Sequence, residues 1–157
     1  MAVYYTDKSR SFGTRVGHGQ YRAEYVAEAI VAMTTAMIDN ADDEVGLFYL
    51  PKGAVVVGAT IAATDMDTNV SPALAIDVGD SGDEDRIFAA STVGQAGTLS
   101  TAMARAGFLA KYTSDTLIKA YIQTAAATAA AGTLYVAVRY FIDPESSTTA
   151  LTASTTA

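Results

Sequence analysis

The 157-residue chain has no cysteine, no tryptophan, three prolines and a single histidine. Without cysteine there is no disulfide and no thiolate zinc site, and the redox compartment leaves no trace in the sequence. Without tryptophan the chain lacks the broad indole face suited to stacking on a sugar ring. The lone His18 sits between Gly17 and Gly19, whereas a catalytic imidazole needs a rigid support and a partner held beside it. Serine–histidine and cysteine–histidine chemistry are therefore set aside, and no catalytic residue is assigned. Gly17-His18-Gly19 and Val78–Gly82 fit neither phosphate-loop spacing, GxxxxGK[ST] or GxGxxG ahead of a helix, and read as turns. No run of about 18 apolar residues occurs, so no segment is expected to span a bilayer. The opening MAVYYTDKSRSFG lacks the apolar block of a secretory leader.

Half of the residues are hydrophobic, enough for one domain with one core. The net charge of −7 is unevenly spread. Residues 1–22 hold Lys8, Arg10, Arg15 and Arg22 against Asp7, a balance of +3, which leaves −10 on the other 135 residues. An acidic body disfavours a nucleic-acid surface, because phosphate contacts need clustered Lys and Arg. Residues 1–20 mix glycine, serine and basic residues without apolar periodicity and read as an extended arm. The Ser/Thr/Ala-rich end, 145–157, reads as a loose tail. Between them, 21–144 reads as the folded domain.

Within that domain, alternation prevails. In 21–38, Arg22, Glu24 and Glu28 share one parity, and Ala23, Tyr25, Ala27, Ala29, Val31 and Met33 share the other; a helix would scatter those charges around its axis. Leu47–Leu50 reads as a short strand, Pro51-Lys52-Gly53 as a turn. Ala54–Thr64 reads as a strand whose central Gly58 marks a bulge or a close approach. Pro72 bounds a further strand, Ala73–Val78, and Arg86–Ala90 resumes apolar character. In 113–124, Ile118, Ala120 and Ile122 form one face and Leu117, Lys119, Tyr121 and Gln123 the other. This run and Leu134–Ile142 look like a hairpin, with the Ala-rich 124–131 between them as a turn that has room for one helical turn. Short strands with turn signals about every ten residues predict an all-β, antiparallel β-sandwich, jelly-roll-like or immunoglobulin-like.

The stretch DVGDSGDEDRIFAA, 77–90, raises the one question of metal. Asp77, Asp80, Asp83, Glu84 and Asp85 crowd into nine positions. An EF-hand loop needs oxygen ligands at positions 1, 3, 5 and 12, and counting from Asp77 the pattern fails at Gly79 and Phe88. A solvated turn without metal is the reading adopted. A calcium site of another kind on Asp77, Asp80, Asp83 and Asp85 is its rival. Arg86 is placed to pair with one of these carboxylates. The nine tyrosines read as half-buried strand residues, except Tyr4 and Tyr5, whose place in the arm leaves apolar area to dock on a neighbour.

The segments LFYLPKGAVVVGATIAAT, LAIDVGDSGDEDRIFAAS and TLIKAYIQTAAATAAAGTLYVAVRYF, spanning roughly 44–142, resemble small structural proteins of tailed bacteriophages, of the head decoration or cement type. The resemblance implies a β-sandwich assembled as a symmetric oligomer on the capsid surface, and it favours a strand for 21–38. It carries over no catalytic, metal or cofactor residue. The expected function is a virion protein, made in the host cytoplasm, that decorates or cements the capsid. Its expected partners are the major capsid protein and itself as a cyclic homo-oligomer, a trimer, with no nucleic acid and no membrane. Tyr4, Tyr5, Arg10, Phe12 and Arg15 are the expected arm contacts. The rival functions are a tail or fibre component touching host glycans, and a non-viral carbohydrate- or calcium-binding sandwich.

Overall fold

Alternation decides which way each strand faces. In the computed structural model, which describes residues 23–143, the first strand, β1 (Glu24–Met33), turns Ala27, Ala29, Val31 and Met33 inward and leaves Glu24, Val26, Glu28 and Ile30 outside. The parity read from the sequence is thus the parity of the fold, although the strand stops at Met33 and a 3-10 turn follows at Thr35–Met37. The remaining strands are β2 (Glu44–Leu50), β3 (Ala54–Ala63), β4 (Ala75–Asp80), β5 (Asp83–Ser91), β6 (Leu99–Ser100), β7 (Thr116–Thr124) and β8 (Gly132–Ile142).

They form two four-stranded sheets, β1-β8-β3-β6 and β2-β7-β4-β5. β1 pairs with β8, β2 with β7, β3 with β6 and β4 with β5, each antiparallel. The chain is therefore one long antiparallel ribbon, nested about the β4–β5 turn and wrapped onto itself. This is the jelly roll, of the two sandwich topologies expected. The described part holds two 3-10 turns and no helix long and apolar enough to cross a membrane.

The nesting corrects one expectation directly. β7 and β8 both alternate and are neighbours in sequence, but they are not a hairpin: they lie in opposite sheets. Every connection except β4–β5 changes sheet, so β7 lies between β4 and β2, the latter some seventy residues back. The Ala-rich connection is not helical either. Its backbone is taken by Asp67: the carboxylate accepts N–H bonds from Ala127 at 2.9 Å and Thr128 at 2.8 Å, and from Ala73 and Leu74 at 2.7 and 3.0 Å. Asp67 also bridges Ala129 in antiparallel fashion, and Ala130 donates to the Met66 carbonyl. Only 1 % of Asp67 is exposed. Burial alone would raise its pKa, but the four backbone donors outweigh it and hold the carboxyl far below the usual range.

The core lies between the sheets. Ile38, Leu50, Val56, Ile61, Leu74, Ile76, Val78, Phe88, Ile118, Ile122, Leu134, Val136 and Val138 pack in one cluster. Each such side chain taken from water contributes about 1.5–3 kcal/mol. Ile118, Ala120 and Ile122 are indeed the inner face of β7. The turn at 51–53 forms as expected: Ala54 donates to the Pro51 carbonyl at 3.0 Å, and Gly53 takes φ 86°. The bulge also forms, with the β3–β8 register slipping between Val56 and Gly58. A side chain at Gly58 would run into the Arg139 guanidinium, so the close approach there is by a side chain.

Candidate assembly surfaces

The acidic stretch is a tight hairpin. Its turn is Ser81-Gly82 alone, while Asp83–Asp85 belong to β5 and β4 runs to Asp80, two residues beyond the strand end read from the sequence. The carboxylates are not uniformly solvated. Asp80 is buried and meets Arg86, whose Nε donates to Oδ2 at 2.6 Å, while Gly82 N–H donates to Oδ1 at 2.9 Å. Burial raises the Asp80 pKa, and Arg86 with the Gly82 N–H more than offsets this, leaving it lowered. The Tyr112 hydroxyl is buried beside the same carboxylate, close enough to shift its titration and be shifted by it. Burial, then the Asp80 charge, push it well above its ordinary value.

Strand parity separates the calcium candidates. Asp77 pairs with Tyr121 across β4–β7 and points to the outer face. There its Oδ1 accepts the Ala90 N–H at 2.5 Å. Asp80 lies toward the Tyr112 side. Asp83 sits 3.7 Å from the Arg86 guanidinium, and a hydrogen bond with Asp85 raises its pKa. Among the described residues no three Asp, Glu or His side chains are grouped so as to hold a metal ion.

On the outer face of the β2-β7-β4-β5 sheet, Asp42, Glu44, Asp77 and Glu84 surround Tyr121 in a groove of about 360 Å³. Each comes from a different place: the loop before β2, then β2, β4, β5 and β7. Asp42 is held at the rim with φ 71° and its N–H bonded to the Ile122 carbonyl at 2.8 Å. Aspartate tolerates this left-handed backbone better than most residues. Lys119 leans over the Tyr121 ring at 5.8 Å and donates to Glu44 at 2.6 Å. Tyr121 itself is 6 % exposed, and its hydroxyl has no hydrogen-bond partner among the described residues.

The other sheet presents a different surface. Register aligns Ile30, Tyr135, Ala62 and Leu99 in one outward row across β1, β8, β3 and β6. Ile30 is 71 % and Leu99 64 % exposed, with Val26 and Phe108 also open. Beside this row, Phe108, Met103, Thr60, Gly58 and Arg139 line a shallow depression of about 560 Å³. Sequence reading missed both this row and the groove. Each depends on pairings between distant strands, and only the period-2 exposure of Val26 and Ile30 hinted at the row. The expected arm contacts Tyr4, Tyr5, Arg10, Phe12 and Arg15, the arm 1–20 and the tail 145–157 lie outside the described residues.

The described residues thus form an all-β jelly roll with an exposed apolar row on one sheet and an acidic groove on the other. No family model and no curated protein matches the chain, but solved structures do. A chain of the cyanophage Pam1 capsid asymmetric unit is 37 % identical, with a TM-score of 0.72 over 88 % of this chain and 98 % of that one. A chain of the Ralstonia phage GP4 capsid is 27 % identical, with a TM-score of 0.63 over 79 % and 86 %. A chain of the acid-stable capsid of Helicobacter pylori bacteriophage KHP30 shares the fold at 18 % identity and a TM-score of 0.53, over 78 % and 90 %. The chain belongs to the family of the Pam1 capsid protein: it is a bacteriophage virion structural protein of the capsid.

Proposed function

We propose that this protein decorates or cements the capsid, through contacts between its own copies and through arm contacts with neighbouring subunits. The observation that carries this reading is the likeness to almost the whole of a Pam1 capsid chain no longer than this one. The partners are the major capsid protein and further copies of this chain in a cyclic oligomer, a trimer. A cyclic interface is heterologous unless it is two-fold, so one face of each copy meets a different face of the next. The exposed row from Ile30 to Leu99 supplies apolar area for one of the two faces. A standard interface buries about 800 Å² per partner.

The arm, with Tyr4, Tyr5, Arg10, Phe12 and Arg15, is the second attachment. Tethering it to a docked body raises its effective concentration at the surface. The test is direct. Capsids lacking the protein are mixed with full-length chain or with chain lacking residues 1–20, and bound copies are counted by imaging and sedimentation. Full-length chain is expected to bind and the shortened chain to stay in solution with its β signature intact. Equal occupancy by both chains rules the arm out, and no binding by either rules out decoration.

A further inference from the structure

We propose that the acidic groove around Tyr121 is a socket for an arginine or lysine of the arm, residues 1–22, of a neighbouring copy; this rests on the reading of the arm as an attachment device.

Three features argue for a cationic side chain there. First, the groove gathers Asp42, Glu44, Asp77 and Glu84, of which Lys119 engages only Glu44. Asp42 and Glu84 form no ion pair among the described residues. Second, Tyr121 is more than nine-tenths buried, and its hydroxyl, near the Glu44 and Glu84 charges, has no partner among the described residues. Buried polar atoms are normally bonded, so this hydroxyl calls for a partner from beyond the described residues. Burial raises its pKa, and the charges of Glu44 and Glu84 add to that while Lys119 opposes it. It stays a neutral hydroxyl, able to accept an N–H. Third, among the described residues no three carboxylates close on one point as a metal ion requires. A guanidinium has five donors spread over a plane and suits acceptors that are spaced apart.

The same chain carries the complement. Residues 1–22 hold Lys8, Arg10, Arg15 and Arg22 with only Asp7 to oppose them. Fully extended, 22 residues reach about 70 Å. That is about twice the length of a ten-residue strand such as β1, so the reach extends past the chain's own body to the next copy in a ring.

Carbodiimide cross-linking tests this, because it joins an amine to a carboxylate only at contact. The full chain carrying Arg10→Lys, Arg15→Lys and Arg22→Lys gives every arm cation an amine. Copies labelled with heavy isotope are co-assembled with ordinary copies, and the reaction is run on free protein and on protein bound to capsids. The Lys119–Glu44 pair, 2.6 Å apart, serves as the internal check on the chemistry. The expected result is arm links to Asp42, Glu44, Asp77 or Glu84 in mixed heavy–light peptides. They should fall about five-fold in Tyr121→Phe, the equivalent of one lost hydrogen bond, and fall at Asp42, Glu44 and Asp77 in Glu84→Arg, where a cation already occupies the groove. Links confined to single chains, or none at these carboxylates in either state while Lys119–Glu44 forms, overturn the proposal. Arm links without capsid binding support the groove and sink decoration; capsid binding without arm links sinks the groove alone.

Discussion

The Asp67 carboxylate accepts the backbone N–H of Thr128 at 2.8 Å, across 61 positions of sequence. With Ala73, Leu74 and Ala127 it ties the β3–β4 connection to the β7–β8 connection. These two loops lie at one end of the roll, where the chain changes sheet. One buried anion thus does the work that a disulfide would do in a chain with cysteine.

Replacing Asp67 with alanine leaves those buried donors without an acceptor. At about 1–3 kcal/mol for each orphaned group, partly relieved by local relaxation, the loss should exceed about 3 kcal/mol. Asp67→Asn should also be costly, because its one carbonyl oxygen can still accept while its amide NH2 faces backbone N–H donors on the other side. Acidity adds a signature. The folded pKa lies below the unfolded one, so the stabilisation is complete above the unfolded value of about 4 and drains away as pH falls below it. Urea unfolding between pH 7 and pH 2.5 should show this slope in the parent chain and a flatter one in Asp67→Asn. Parallel slopes mean that Asp67 is not the group responsible.

The β4–β5 hairpin gives a pair of opposite signs. Arg86→Met strands the buried Asp80 charge and should cost on the order of 2–3 kcal/mol at pH 7. Burial would then raise the Asp80 pKa in the folded state, so stability of this variant should rise as pH falls from 7 toward 4. In the parent, Asp80 is lowered, and its contribution holds until pH drops below about 4. Tyr112→Phe removes a buried hydroxyl that lies beside Asp80 but outside good hydrogen-bond geometry; it should change stability by less than about 1 kcal/mol. Thermal unfolding of both variants across pH reads the signs, and a clearly destabilised Tyr112→Phe would mean that the hydroxyl has a partner.

What could be read from the chain in advance was what is local. The inward parity of β1, the inner face of β7, the turn at Gly53 and the bulge at Gly58 follow from neighbours within a few residues. The nested pairing did not, because β7 and β8 carry the same alternation and nothing local says which sheet each joins. The acidic stretch misled for a related reason. Asp77 and Asp80 are three residues apart, yet the strand turns one toward Tyr121 and lets the other meet Arg86. Asp67 hid in a stretch that reads as a plain turn. Its one local trace is a ladder in which Asp65, Asp67 and Asn69 each accept the N–H two residues on, an aspartate-turn pattern. Its bonds to Ala127 and Thr128 exist only once the roll has closed.

Gly79 offers a test of the hairpin itself. A side chain at this position would collide with the backbone of Asp83 and Glu84, which cannot move without opening the β4–β5 turn. Gly79→Ala should destabilise by more than about 2 kcal/mol, whereas Gly58→Ala meets only the mobile end of Arg139 and should cost less than about 1 kcal/mol. Comparing the two by denaturant midpoint separates backbone collision from side-chain crowding. If the costs are equal or reversed, the strand crossing at Gly79 is looser than its contacts imply.

The outward row bears on assembly. Ile30 and Leu99 stand at opposite edges of one sheet, with Tyr135 and Ala62 between them, and both leave apolar area open to a contact. Burying an isoleucine or leucine contributes about 1.5–3 kcal/mol, so a contact using both carries a substantial part of a subunit interface. Ile30→Asp with Leu99→Asp should leave the fold intact, because both side chains already face water, while adding repulsion to a sheet edge that holds Glu28. Light scattering of the full chain should then give the mass of a trimer for the parent and of a monomer for the double variant, with unchanged circular dichroism. A double variant that keeps the parent's mass places the interface elsewhere, and the next surface to alter is the depression between Phe108 and Arg139.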